Sequence, residues 1–287
     1  MKNIMNKHFK ELLFIILSVS PLLILSILSN MVEVPADISY EGIDRKMLMF
    51  SNSLFLLFFL LPFFVVRKNK DYLMNFNHFR ILPFVFIIIT TFLFIILNAP
   101  VIEWNRAISF PEFMSGFEEW ATLKEKQLES LTIHLISFDN TTEYLIGILT
   151  IAIIPGFCEE YFFRGVLQKN FKLLLNNPHV AIVLSALLFS AFHLQFYGFF
   201  PRFLLGVLFG YMFYWSGSLI YPVIAHALNN FIGISLVYAA KSGFFGEDFD
   251  MPINSSPDIP ISILAFSFFL FILAVVKTRN ILSKNYE

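Results

Sequence analysis

The chain has 287 residues, 57% hydrophobic and 14% charged, with a formal net charge of −1 and a mean hydropathy of +0.72. No ordinary soluble domain needs that apolar excess for its core, so the composition implies a membrane protein with lipid as its first partner. The balanced charge argues against a nucleic-acid partner, and a single cysteine, Cys158, excludes both an internal disulfide and zinc-finger spacing.

In chain order, the first segment joins a basic start to a long apolar run with no small-residue cleavage site, and reads as a retained anchor. Myristoylation and prenylation motifs are absent. A spanning helix needs about 20 mostly apolar residues, and the predicted spans are 11–30, 47–66, 81–99, 143–163, 179–199, 202–217, 219–240 and 259–276. The sixth is short, bounded by Pro201 and Gly217. With the N-terminus inside, the loops and termini on that side carry twelve Lys and Arg, against seven spread over the longer outside loops. The positive-inside rule therefore favours about eight spans with both termini cytoplasmic. The expected fold class is all-α: a polytopic transmembrane helical bundle, one domain over 1–287, in the inner membrane of a bacterial cell.

The longest outside loop, 100–142, predicts an amphipathic helix lying at the outer surface. Phe113, Phe117, Trp120, Leu128, Leu131 and Leu135 supply its apolar side, and Glu118, Glu119, Lys124, Glu125 and Glu129 the other. It reads as a loop helix packed on the bundle, or as a gate for substrate.

An ionisable residue inside a span costs about 2.5–3.5 kcal/mol on insertion scales, so it faces a partner or a wet cavity. The chain accepts that cost in "EEYFFR" (159–164), "FSAFH" (189–193) and "HALNN" (226–230). Glu160 and Arg164, four apart on one helix face, predict an ion pair. Glu159 points about 100° away, is left without a full salt bridge, and suits a general base or acid. Phe189 lies one turn before His193 and walls its ring. His226 and Asn230, four apart, project toward one spot, with Asn229 off that face. Singly, these motifs are helix clasps and interhelical glue. Together, a carboxylate, two imidazoles and a carboxamide can activate water beside donors for an oxyanion.

The three patterns, E-E-x-x-x-R, F-x-x-x-H and H-x-x-x-N in that order on successive helices, resemble the CPBP family, also called Abi. That family includes the type II CAAX prenyl endopeptidases and bacteriocin-processing or immunity proteins. The resemblance spans about 140–240 and implies an intramembrane endopeptidase acting on a peptide or protein at the membrane. It implies that Glu159 and His193 activate water, His226 and Asn230 stabilise the oxyanion, and Glu160 and Arg164 hold the helix end. A zinc-dependent version would use Glu159, His193 and His226 as ligands. The chain has no H-E-x-x-H motif, and asparagine is a poor zinc ligand, so the expectation is a metal-free glutamate mechanism with no cofactor required. Cys158, turned away from Glu159, is not expected to be a nucleophile. The rival readings are a non-enzymatic scaffold or immunity factor and, more weakly, a proton-coupled transporter; no inverted repeat supports the latter.

The depths of these residues conflict. Glu159 and His226 fall in the cytoplasmic third, whereas His193 lies fourteen residues into its span. Either the fifth span starts deeper than hydropathy suggests, or "GVLQKNFKLLLNNPH" dips into the bilayer. The sites are expected to converge regardless.

Overall fold

The computed structural model describes residues 42–62, 80–244 and 259–283, together with 9, 10, 13 and 40. The predicted span 11–30 lies outside the described residues apart from residue 13. Among the described residues the protein is an all-α membrane bundle. Its helices are α1 (Arg45–Leu57), α2 (Ile81–Arg106), α3 (Ser115–Ile136), α4 (Thr141–Leu175), α5 (Pro178–Ala191), α6 (Phe199–Ser216), α7 (Ile220–Lys241) and α8 (Ile261–Ser283). By length and apolarity, α2, α4, α7, α8 and the segment Phe196–Ser216 containing α6 can each cross a membrane.

Helix starts follow local chemistry. Asp44 accepts from the amides of Lys46 and Met47 at the head of α1, and Asn140 accepts from Glu143 N at the head of α4. Asn177 caps α5, with Pro178 as its first residue. The turn between α4 and α5 needs only Asn176, in the left-handed region at φ 50°, before that cap.

Cross-contacts set the helix directions. At the α3 end of the bundle, Arg45 at the start of α1 donates to the His134 carbonyl at 2.7 Å and pairs with Asp139 and Glu143. Lys241, closing α7, meets Asp139 at 2.7 Å. There too Asn105, near the end of α2, donates to the Phe196 carbonyl before α6. At the opposite end, Arg80 donates to the Ile281 carbonyl of α8. Hence α1, α4, α6 and α8 run away from the α3 end, and α2, α5 and α7 run toward it. Along α4 and α7 the antiparallel register pairs Asn230 with Ile151 and His226 with Glu160. Gly156 permits that approach, because a Cβ there would stand 3.0 Å from the Ala227 amide nitrogen.

The fifth predicted span is corrected. α5 stops at Ala191 instead of running to 199, and its 14 residues rise about 21 Å, short of a hydrocarbon core. The chain then turns: His193 N bonds the Ser190 carbonyl, Leu194 takes φ 54°, and a short 3-10 turn covers Phe196–Gly198. "GVLQKNFKLLL" simply extends α4 to Leu175, so a long helix precedes a short one and His193 lies at the short one's buried end.

α3 is where the amphipathic helix was expected, but its facing is corrected. Phe113 is 86% exposed, and Phe117 and Trp120 are also exposed, while Ala121, Lys124 and Gln127 are buried. The helix lies against the bundle along a stripe that includes a lysine. The loop before it is shorter than 100–142 implied, because α2 continues through Pro100 to Arg106.

Candidate active site

The polar centre is built on α4, whose regular turns are interrupted by two π-helical stretches, Ile148–Ile153 and Tyr161–Gln168, flanking Ile154–Glu160. Such stretches frequently mark functional sites, since they re-aim side chains and shift carbonyl partners. The Ile151 carbonyl lies in the first and accepts from Asn230 Nδ2 at 3.2 Å.

Glu160 and Arg164 are both fully buried, with Arg164 Nη1 2.7 Å from Glu160 Oε1. The guanidinium is satisfied further by the Gly206 carbonyl at 3.0 Å and lies 4.5 Å from the centroid of the Phe189 ring. One turn on, Gln168 repeats the device, donating to the Gly210 carbonyl at 3.0 Å. Glu160 does more than hold a helix end. Its Oε1 also meets His226 Nδ1 at 2.8 Å. Because that oxygen accepts from Arg164 as well, Nδ1 must carry the proton. The ring is fixed by stacking on Phe209 and by the edge of Phe189.

His226 Nε2 then stands 3.9 Å from Glu159 Oε2. That oxygen is buried and has no hydrogen-bond partner among the described residues. Glu159 lines a cavity of about 510 Å³ that His193 and Asn230 also line. His193 Nδ1 donates to the Phe189 carbonyl at 2.9 Å, which leaves its Nε2 as an acceptor. Thus Glu159, His193 and Asn230 share one hollow, whereas His226 lies behind Glu159, in contact with both adjacent carboxylates. Phe189 touches both histidine rings, at 5.2 Å and 5.8 Å between centroids, and binds the three motifs into one cluster.

α1 with the turn after it and α3 form the far wall of the cavity, with Phe55 and Phe59 from the first and Lys124, Leu128, Leu131 and Leu135 from the second. Lys124 Nζ donates to Gln127 Oε1 at 2.9 Å, and burial pulls its pKa below the usual lysine value. At the rim, Gln195 donates to Glu125 at 3.2 Å and accepts from Arg202. Burial raises the Glu125 pKa, an effect that Arg202 and Arg106 partly oppose. Sequence reasoning missed this rim: it placed Lys124 on the polar side of the outer-surface helix and gave Arg202 no role. The signal for Lys124 was present: 113, 117, 120, 124, 128, 131 and 135 form one continuous helical stripe, and Lys124 interrupts it.

The side chains of the alternative zinc set, Glu159, His193 and His226, are not drawn together as ligands. Among the described residues no three His, Cys, Asp or Glu side chains are grouped to hold a metal ion. His226 has turned Nδ1 to Glu160, and its Nε2 is 3.9 Å from Glu159, longer than the roughly 3.4 Å between two donors of a tetrahedral zinc. Cys158 is buried in the apolar cluster that includes Leu56, Phe59, Tyr161 and Phe162 and does not itself line the cavity.

Residues 141–232 match the family described as type II CAAX prenyl endopeptidase Rce1-like. No curated protein and no solved structure matches the chain. The matched segment runs from the start of α4 into α7 and holds Glu159, Glu160, Arg164, Phe189, His193, His226 and Asn230. By that segment, about a third of the chain, the protein is similar to the CAAX-protease-like intramembrane endopeptidases.

Proposed function

We propose that the protein hydrolyses a peptide bond of a membrane-associated protein or peptide, with a bacterial cell membrane as the expected setting, and that Glu159 is the general base. The supporting observation is the shared cavity: an unpartnered carboxylate oxygen of Glu159 in one hollow with His193 and Asn230. Water held between Glu159 and His193 Nε2 gives a proton to Glu159 as its oxygen attacks the scissile carbonyl carbon. The oxyanion that forms takes a hydrogen bond from the second Nδ2–H of Asn230, the first being used on Ile151. On collapse the C–N bond breaks and Glu159 returns the proton to the leaving amine. His226 joins the oxyanion side only as imidazolium, since its neutral form has given Nδ1–H to Glu160 and leaves Nε2 as an acceptor facing Glu159. No cofactor enters this cycle.

The test is a comparison of membrane peptidomes from cells carrying wild type and Glu159→Gln. Peptides or precursors that persist uncleaved only with the variant are the expected result. Identical peptidomes, with the variant present in the membrane at wild-type level, would favour a non-enzymatic scaffold.

A further inference from the structure

The cavity of Glu159 has a cation in its far wall that the proposed hydrolysis does not use. Lys124 of α3 lines it, is 6% exposed, and interrupts an otherwise apolar helical stripe. An ammonium carries three N–H donors and accepts nothing. One donor is spent on Gln127 Oε1 at 2.9 Å, a neutral oxygen that leaves the charge uncancelled. No carboxylate of the described residues is within ion-pair distance of Lys124. Glu159, the one acid among the described residues lining the cavity, has an oxygen with no hydrogen-bond partner among them. Opposite charges therefore share one hollow without pairing.

Burying an ammonium without an opposite charge is costly, so a lysine in this wall is accounted for by a counter-charge that arrives with the occupant of the cavity. Leu128, Leu131 and Leu135, on the same helix and in the same wall, suit an occupant that is apolar apart from that charge. Given the hydrolysis proposed above, on which the role rests, we propose that Lys124 determines specificity: it binds a carboxylate of the substrate peptide while apolar side chains of that peptide pack on the three leucines. An Asp or Glu side chain and the peptide's own C-terminus present the same anion. Lys124 lies outside residues 141–232, so this selectivity belongs to α3 and not to the segment that matches the family.

The test is affinity capture on the detergent-solubilised full chain carrying Glu159→Gln, which binds without turnover. The probe is a synthetic library of short peptides randomised over Ala, Leu, Phe, Gln and Glu, in C-terminal acid and C-terminal amide forms, with the bound fraction read by mass spectrometry. Peptides bearing the carboxylate are expected to be captured about tenfold better than those bearing the matching amide. Enrichment of Glu over Gln within the amide form identifies a side chain as the anion, and enrichment of the acid form regardless of Glu identifies the C-terminus. Lys124→Gln, added to Glu159→Gln, should abolish the preference while apolar peptides are still captured. Lys124→Arg should keep it, as should Lys126→Gln, an equal charge loss at an exposed position of α3. Failure to capture peptides, capture without a carboxylate preference, or a preference that survives Lys124→Gln would overturn the proposal, as would equal loss in Lys124→Arg and Lys124→Gln. The hydrolysis is judged separately: if wild type leaves the captured peptides uncut, the endopeptidase reading fails while Lys124 stands as a carboxylate site.

Discussion

Adjacent glutamates in one apolar helix have different chemistry because their partners differ. Glu160 shares one oxygen with Arg164 and His226 and is fully enclosed. Removing one partner of a buried ion pair leaves the other charge uncompensated and costs about 3–5 kcal/mol. Glu160→Gln is therefore expected to lower the melting temperature sharply and to free the His226 ring. Glu159 has no such partner, so Glu159→Gln should melt near wild type while losing turnover about 10²- to 10⁴-fold, the range for a general base. Measuring melting and peptide cleavage on both variants separates the roles. A Glu159→Gln protein that cleaves normally would eliminate Glu159 as the base.

At the scale of elements, α3 is a wall of the site. It meets the bundle through Lys124 and Gln127 and is joined at the rim to Gln195 through Glu125. Burial raises the Glu125 pKa, so the folded protein binds that proton more tightly than the unfolded chain. Stability from this group is present below the ordinary carboxylate value and declines as pH rises through the raised one. Thermal unfolding of wild type across that window should show this fall, and Glu125→Gln should flatten it. An unchanged pH profile in the variant would remove Glu125 as its source. Asp139 works in the opposite sense. Hydrogen bonds from Lys241 and Arg45 hold its pKa below the usual value, so its contribution is lost as pH falls through that lowered value.

For the molecule as a whole, two measurements test the arrangement. The proposed glutamate mechanism uses no metal, so peptide cleavage is expected to survive dialysis against a strong chelator. Activity lost on dialysis and restored by zinc would contradict the glutamate mechanism. Lys126 on α3 and Lys172 on α4 belong to opposite ends of the bundle. In a Cys158→Ala background, Lys126→Cys should react with an impermeant thiol reagent added outside intact cells, and Lys172→Cys only after permeabilisation. The reverse pattern would invert the orientation inferred from the positive-inside rule.

Membrane class, helical fold and the three motifs were legible in the sequence because each depends on local properties: apolar length, and residues four apart on one face. The Glu160–Arg164 pair is of that kind, and the structure contains it. The seating of His226 on Glu160, the break after Ala191 that carries His193 to the cavity, and Lys124 in its wall are contacts between distant segments. Helical periodicity gives the face a residue occupies but not which helix will cover that face. The antiparallel register of α4 and α7 and the docking of α3 made those choices, since packing between helices is decided by the whole bundle at once.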